Sequence, residues 1–420
     1  MSNLKFKCRY MALLICMVLS AGVLRAADEP EEYNRSSLYT ITMLHPKDRM
    51  YQNIFETMQD IPIPDKYEDH SLNMRIMEAP NAKGKMTYSQ EKMQEQLTAF
   101  MHANQIGRRM VARWFERDRR SGAFNTATLE RRGHYNLSEM ARQQSAWTIA
   151  GSAERSDADE ELIPQTFVIV NDITYVDKEQ NAQIAKGVLT VLAAAASAFG
   201  GGGIADLVKQ TLQLGANIAD LIAGFTVDVR SYLFQLEWNE EVANKFYMDY
   251  YYTADRIDPG KKAAFEADTT SFRMKYIGTY NARSAKTSPR GVHSPAQVFR
   301  KVLTRAIDKN IVELQREFSV FKVTSIISAV SGKNEVQAYI GLKEGVSPNS
   351  TYEVLQRELK NGKMVYKRVA TLEPKENMIW DNRYMAVEEK APNAELGYTT
   401  FTVKNPVSQI FPGMLVREVK

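Results

Sequence analysis

Cysteine is scarce in this chain, and the little there is sits where it cannot staple a fold. Cys8 and Cys16 are the only two in 420 residues. Both fall within residues 1–26, which carry the zones of a secretory signal peptide. Lys5, Lys7 and Arg9 come first, then the apolar run Met11 to Leu24, then Arg25-Ala26-Ala27 ahead of Asp28-Glu29-Pro30. A run of about 14 apolar residues is short of the ~20 that a spanning helix needs, so cleavage after Ala26 is expected rather than an anchor. Ile15 before Cys16 is not the small residue of a lipoprotein signal. The expected mature chain, residues 27–420, then has no cysteine. That excludes a disulfide-stapled fold, thiolate metal sites and cysteine nucleophiles.

Charge of one sign is missing as well. Of 54 Lys+Arg, four (Lys5, Lys7, Arg9, Arg25) lie in the signal, and the remainder balances the 50 Asp+Glu. A chain neutral overall is not built as a general nucleic-acid binder, so no nucleic acid is expected as partner. Its 44% hydrophobic content is enough for ordinary cores.

Local catalytic signatures are lacking too. There is no H-E-x-x-H and no G-x-S-x-G, and Gly200–Gly203 is not followed by the Gly-Lys-Ser/Thr of a phosphate loop. The five histidines (His45, His70, His102, His134, His293) are scattered. Asp65, Glu68, Asp69 and His70 make the one dense group of carboxylates with a histidine, a poor set for any single metal. No metal and no cofactor is expected. A catalytic site assembled from distant residues stays open.

What is present divides along the chain. Residues 38–44 alternate as a strand, and Ile61-Pro62-Ile63-Pro64 must be extended. Thr87 with Gln90 forms a capping box ahead of a long helix over about 88–120, with a break expected near Gly107. Helical character resumes over 136–150, and 151–161 reads as an acidic loop. Thr166 to Val176, Phe225 to Trp238 and Phe272 to Tyr280 are strand candidates. The second changes its apolar parity near Ser231, which predicts a bulge or twist.

Between the first two of these strands, Gly187 to Ala205 runs 19 residues without a charge around Gly200–Gly203. With Leu207 to Ala223 it predicts an Ala/Gly-rich helical hairpin over 182–224. Its small residues would pack against a sheet, a second copy or a membrane. Ser294-Pro295-Ala296-Gln297 opens a helix whose apolar face runs from Val302 to Phe318. Val320 to Val323 then reads as a strand. Beyond 319 the pattern is all β, with a hairpin turning at Asn361-Gly362 and short strands near 335–341, 383–388, 398–404 and 413–419.

Two surface candidates follow. Arg108, Arg109, Arg113, Arg117 and Arg120, joined by Arg119, Arg131 and Arg132, crowd one helix and its exit, opposed by Glu116, Asp118 and Glu130. Such a cluster suits an anionic partner, or else is a solvated face neutralised elsewhere. Trp238, Tyr247, Tyr250 and Tyr251, next to Phe246 and Tyr252, suit a sugar, or else are core packing.

The stretches Glu161 to Asp172 and Ile379-Trp380-Asp381-Asn382-Arg383-Tyr384-Met385 resemble uncharacterised secreted proteins of Bacteroidetes-type cell envelopes. This resemblance implies a location and no activity. Gly341-Leu342-Lys343-Glu344-Gly345-Val346, running on to Tyr352-Glu353-Val354, is similar in architecture to the flagellar assembly protein T family. There an α+β domain precedes a small β-barrel. Pro348-Asn349-Ser350 departs from the Gly-Asp of that pattern, so the likeness bears on fold alone.

The expected fold is therefore α+β and multidomain. A helical N-terminal region (27–150) precedes an α+β middle domain (162–318) holding the 182–224 hairpin, and a small C-terminal β-barrel (319–420) follows. The expected function is a non-enzymatic periplasmic or outer-membrane-associated envelope protein, acting in assembly or scaffolding. Its contacts would be with envelope proteins or the outer-membrane surface, with homo-oligomers through the hairpin. The competing expectation is an envelope hydrolase or glycan-binding protein. A groove of apolar side chains and arginine would favour the first; a pocket gathering a histidine with two carboxylates would favour the second.

Overall fold

The computed structural model describes residues 36–134 apart from 47, 62–66 and 80–88. It also describes 161–177, 222–289, and 294–419 apart from 332–333, 361–362, 385, 389 and 407. The signal segment and nearly all of the 182–224 hairpin lie outside these residues. The last three hairpin positions, 222–224, begin a strand.

The fold is mixed α/β with two sheets, which corrects the expected α+β arrangement with its separate helical N-terminal region. The correction turns on one strand. β1 (Ser36–Leu44) pairs in parallel with β2 (Tyr67–Asp69), β3 (Ile76–Glu78) and β4 (Thr166–Asp177). β4 then pairs antiparallel with β5 (Ile222–Leu236), and β5 with β6 (Met274–Pro289), giving the order β2-β1-β4-β5-β6. A strand from the supposedly helical region thus lies inside the sheet.

Both faces of this sheet are covered, and the sequence shows why. Leu38 and Leu44 of β1 point to one face and Tyr39, Ile41 and Met43 to the other, all buried. Strands buried on two sides read as apolar runs, because neither parity meets water. The same fact explains the parity change in β5. Phe225, Val227 and Val229 face one layer of helices, and Tyr232, Phe234 and Leu236 the other. No bulge sits at Ser231 against β4, since that register runs unbroken from Gln235 to Phe225. The irregularity falls between Leu233 and Phe234, against β6.

On one face lie α1 (Tyr51–Asp60) and α7 (Pro295–Glu317). α7 begins as expected: Ser294 Oγ accepts from Gln297 N–H (3.2 Å), Gln297 Oε1 accepts from Ser294 N–H (2.9 Å), and Pro295 takes the first helical position. On the other face are α2 (Gln90–Ala103), α3 (Ile106–Trp114) and α4 (Ala127–His134), followed in sequence by α5 (Glu240–Lys245) with its π-type turn Phe246–Tyr250, and α6 (Pro259–Ala267).

The cap of α2 is Ser89, which accepts from Lys92 N–H, rather than Thr87, which lies outside the described residues. The break expected near Gly107 comes at Asn104-Gln105, where Gln105 takes φ 52°. Gly107 serves packing instead: a Cβ there would stand 2.6 Å from the Phe272 carbonyl oxygen.

The C-terminal strands form a second, ring-like sheet. They are β7 (Thr324–Ser331), β8 (Glu335–Ala338), β9 (Thr351–Lys360), β10 (Lys363–Pro374), β11 (Thr399–Lys404) and β12 (Leu415–Val419). Their order is β10-β11-β8-β7-β12-β9, and β9 pairs with β10 to complete the circuit. Residues 319–321 form a short 3-10 turn, so the strand expected from Val320 starts only at Thr324. No described residue of 383–388 is in a strand. The ring meets α7 through the loop 341–346, where Arg316 donates to the Gly345 carbonyl (2.7 Å).

Candidate functional site

The predicted arginine cluster separates once folded. Arg108 donates to the carbonyls of Phe265 (3.1 Å) and Asp268 (2.8 Å), so it caps the C-terminal end of α6, where orphan carbonyls and the negative pole of the helix favour a cation. Arg117 pairs with Glu266 (2.9 Å) and lies 5.0 Å over the Phe265 ring. Arg109 donates to the Leu72 carbonyl. Arg113 and Arg120 are exposed. Three of the five therefore tie α3 and its exit to neighbouring segments, and two remain at the surface.

The aromatic set also comes together, around a core rather than as a bare platform. Tyr250 is buried, and Trp238, Tyr247 and Tyr251 are partly buried against Phe115, Phe124 and Phe246. Most ring pairs here are edge-on, as between Phe115 and Tyr247 and between Trp238 and Phe246. This arrangement uses the rings' quadrupoles on each other.

Two histidines acquire partners that no spacing announces. His70 is buried beside Trp114 and accepts from the Arg132 guanidinium (3.1 Å), which also donates to Ser37 Oγ (2.8 Å) and stacks 4.1 Å over the Trp114 ring. Burial, then the charges of Arg132 and Arg113, holds the His70 imidazole well below its usual range. Neutral, with Nε2 accepting, it carries its proton on Nδ1. Of the predicted carboxylate group, Asp69 turns outward to Arg75, and Asp65 lies outside the described residues.

At the other end of the parallel strands, His45 meets Asp172 at 2.8 Å, across 127 positions of sequence. Both are buried. Asp48 is close in sequence, but its carboxylate accepts from Tyr175 Oη (2.7 Å) and Met50 N–H (2.7 Å). His45 thus meets one carboxylate, Asp172, while the Asp48 carboxylate turns to Tyr175 and the Met50 N–H. Among the described residues, no group of three or more His, Cys, Asp or Glu could hold a metal ion.

One open feature among the described residues is a cleft at the interrupted outer edge of β1. β2 pairs with β1 at Ser36 to Leu38 and β3 at Thr42 to Leu44, leaving a notch opposite Tyr39 to Ile41. The notch exists because residues 70–74 leave the edge and cross to the opposite face, and Arg75 returns to it, its carbonyl accepting from Thr42 N–H (2.8 Å). On the opposite face Leu72 enters the core and Met74 N–H donates to the Tyr39 hydroxyl (2.9 Å). Phe55 and Met58 from α1, Ile61 just beyond its end, Ile76 from β3, and Ile307 and Ile311 from α7 form the walls. Thr40 and Thr42 also line it, with Asp69 and Arg75 (3.0 Å apart). The cleft is shallow: it encloses about 40 Å³ and opens to solvent at its mouth.

The sequence held part of its signal, since Phe55 and Met58 stand three apart on one helical face. The rest, the facing of α1, α7 and the β1 notch, had none. No protein-family model matches the chain, and no curated protein matches it.

Proposed function

We propose that this chain is a non-enzymatic protein of the cell envelope, exported and then working in assembly or scaffolding by holding a partner at its surface. The observation that carries this reading is the β1-edge cleft. Its walls are isoleucine, methionine and phenylalanine, and it includes one arginine paired with one carboxylate. Such a site grips an apolar side chain and orients it with a polar contact. The zones of residues 1–26 support export. The resemblance to secreted envelope proteins supports the same compartment.

The test is a photo-crosslinker placed at Gln59, which is exposed on the cleft rim, with Gln52 of the same helix as control. Cells expressing the Gln59 variant should give a discrete adduct in the envelope fraction, and the Gln52 variant should not. Equal labelling from both positions, or intact N-terminal sequence in the cytosol, overturns the reading.

A further inference from the structure

The ring and the mixed sheet keep separate apolar cores. Ile327, Val354 and Phe401 belong to one, and Phe299, Leu303 and Leu314 of α7 to the other. Val323, between α7 and β7, is the one side chain among the described residues that packs against both. The joint between them is polar. Arg300 donates to the Tyr384 hydroxyl (3.0 Å), Arg316 to the Gly345 carbonyl (2.7 Å) and Lys322 to the Glu418 carbonyl (3.1 Å). Hydrogen bonds that replace bonds to water contribute little net free energy. The charges buried with them therefore decide how firmly the joint holds.

One carboxylate enters this joint from each side. Asp308 of α7 is buried and its Oδ2 has no hydrogen-bond partner, Arg305 of the same helix staying 3.8 Å away. Lys343, Arg383 and Asp381 face it from the ring, but Arg383 spends its bonds on Asp381 (2.8 and 2.7 Å). Burial outweighs these cations and raises Asp308 to about 6. From the ring, Glu418 of β12 faces Arg316 and Glu313 of α7, with Lys322 and Ser350 beside it. Burial raises Glu418 as well. The neighbouring groups do not oppose this. Asp381 is held low, against its burial, chiefly by Arg383 two residues on, so its shift belongs to the ring alone. Glu344 is tied within the ring by Gly341 N–H and Asn382 Nδ2 (both 2.7 Å), and burial keeps the Tyr352 hydroxyl neutral. The closed joint thus holds protons that its separated, wetted faces would give up near pH 4. Its grip is greatest below pH 4, weakens as pH rises from about 4 to about 6, and then levels off.

We infer that the ring is an arm on a proton-sensitive joint, clamped onto α7 in acid and loosened toward neutral pH as Asp308 and Glu418 ionise. Each sheet keeps its own core through this change, so the opening is local. The inference goes beyond the proposed contact role and does not depend on it.

The experiment uses the full mature chain, whose lack of cysteine allows a single thiol to report on one place. Thr304 is buried and stands on the helical row between Arg300 and Asp308, so Thr304→Cys places a thiol in the joint. Ala306 is buried on the sheet side of the same helix, and Ala306→Cys is the control. Reaction with dithiodipyridine is measured from pH 4 to pH 8 and divided by the rate of a free thiol at each pH. The Thr304→Cys thiol should become about 100-fold more reactive over this range, the change allowed by a carboxyl that moves between about 4 and about 6. The Ala306→Cys thiol should stay at least tenfold less reactive at every pH. Adding Asp308→Asn should remove most of the rise, and adding Glu418→Gln a smaller part, with melting curves showing that each variant is folded. Three results would overturn the proposal: no rise at Thr304, equal reactivity of the two thiols, or the full rise in both carboxamide variants. Equal reactivity would mean that the whole chain unfolds and the joint does not open by itself. None of these outcomes bears on the Gln59 crosslink.

Discussion

The two sheets solve the problem of strand edges in opposite ways. The C-terminal ring joins β9 to β10 and leaves no terminal strand in its circuit. The mixed sheet ends at β6 on one side and at the interrupted β2/β3 edge on the other. Closure removes the backbone groups that could recruit another chain, whereas an open edge offers them. The cleft proposed for contact lies on the open sheet. The ring instead turns one loop toward α7, in a contact where Lys343, Glu344, Asp381 and Asp308 are all buried.

The largest expected effect probes the open sheet. Trp114 is fully buried, carries Arg132 on its face and donates from Nε1 to Thr166 Oγ1 (2.6 Å). Trp114→Ala should cost about 3–5 kcal/mol, read by denaturant unfolding. If sheet and ring unfold as one unit, the single transition moves as a whole. If they are independent, a second transition stays in place.

Next in size is the contact between the two. Burial raises Asp308 to about 6, against the attraction of Lys343, Arg305 and Arg383 and helped by the Asp381 charge. The folded state therefore holds a proton that the unfolded chain gives up near pH 4. Stability should fall as pH rises from about 4 to about 6 and then level off. Asp308→Asn should flatten this slope and gain roughly 2–3 kcal/mol at pH 8, measured as unfolding free energy across pH. An unchanged slope would show that the contact is solvated.

Smaller still is the ring's own loop. A Cβ on Gly341 would lie 2.3 Å from the Trp380 carbonyl oxygen, so Gly341→Ala should cost about 1–3 kcal/mol by overpacking. Circular dichroism of the mixed sheet's helices should be unaffected.

The smallest effect tests the frame of the open sheet: Ser294→Ala removes one half of the capping box and should cost about 1 kcal/mol. Its melting shift should be well below that of Trp114→Ala, since an exposed cap is partly replaced by water.

Much of the local structure was legible. Ser294-Pro295-Ala296-Gln297 marked the start of α7 because capping is a contact among four neighbouring residues. The hairpin of β9 and β10 was visible because alternation and an Asn-Gly turn are local as well. Readings fell short where two distant segments decide an outcome. The parity switch in β5 marks both an irregularity near Ser231, found at Leu233/Phe234 against β6, and a change in which helical layer covers the strand, which only the fold reveals. The arginines of α3 and its exit left two readings open, an anionic partner or neutralisation elsewhere, and only the fold shows that Arg108 and Arg117 find acceptors in α6 some 150 positions away.

By itself, then, the sequence determined what short-range chemistry can determine: the caps, the alternation, the lack of cysteine after the first segment, and the signal-like zones at its start. Only the tertiary structure decided that β1 joins β4 in parallel, that His45 meets Asp172, and that the edges of one sheet stay open while the other closes. Parallel pairing and ring closure bring together residues far apart in the chain. Their free energy comes from burial shared between segments, and no single segment carries a record of its partner.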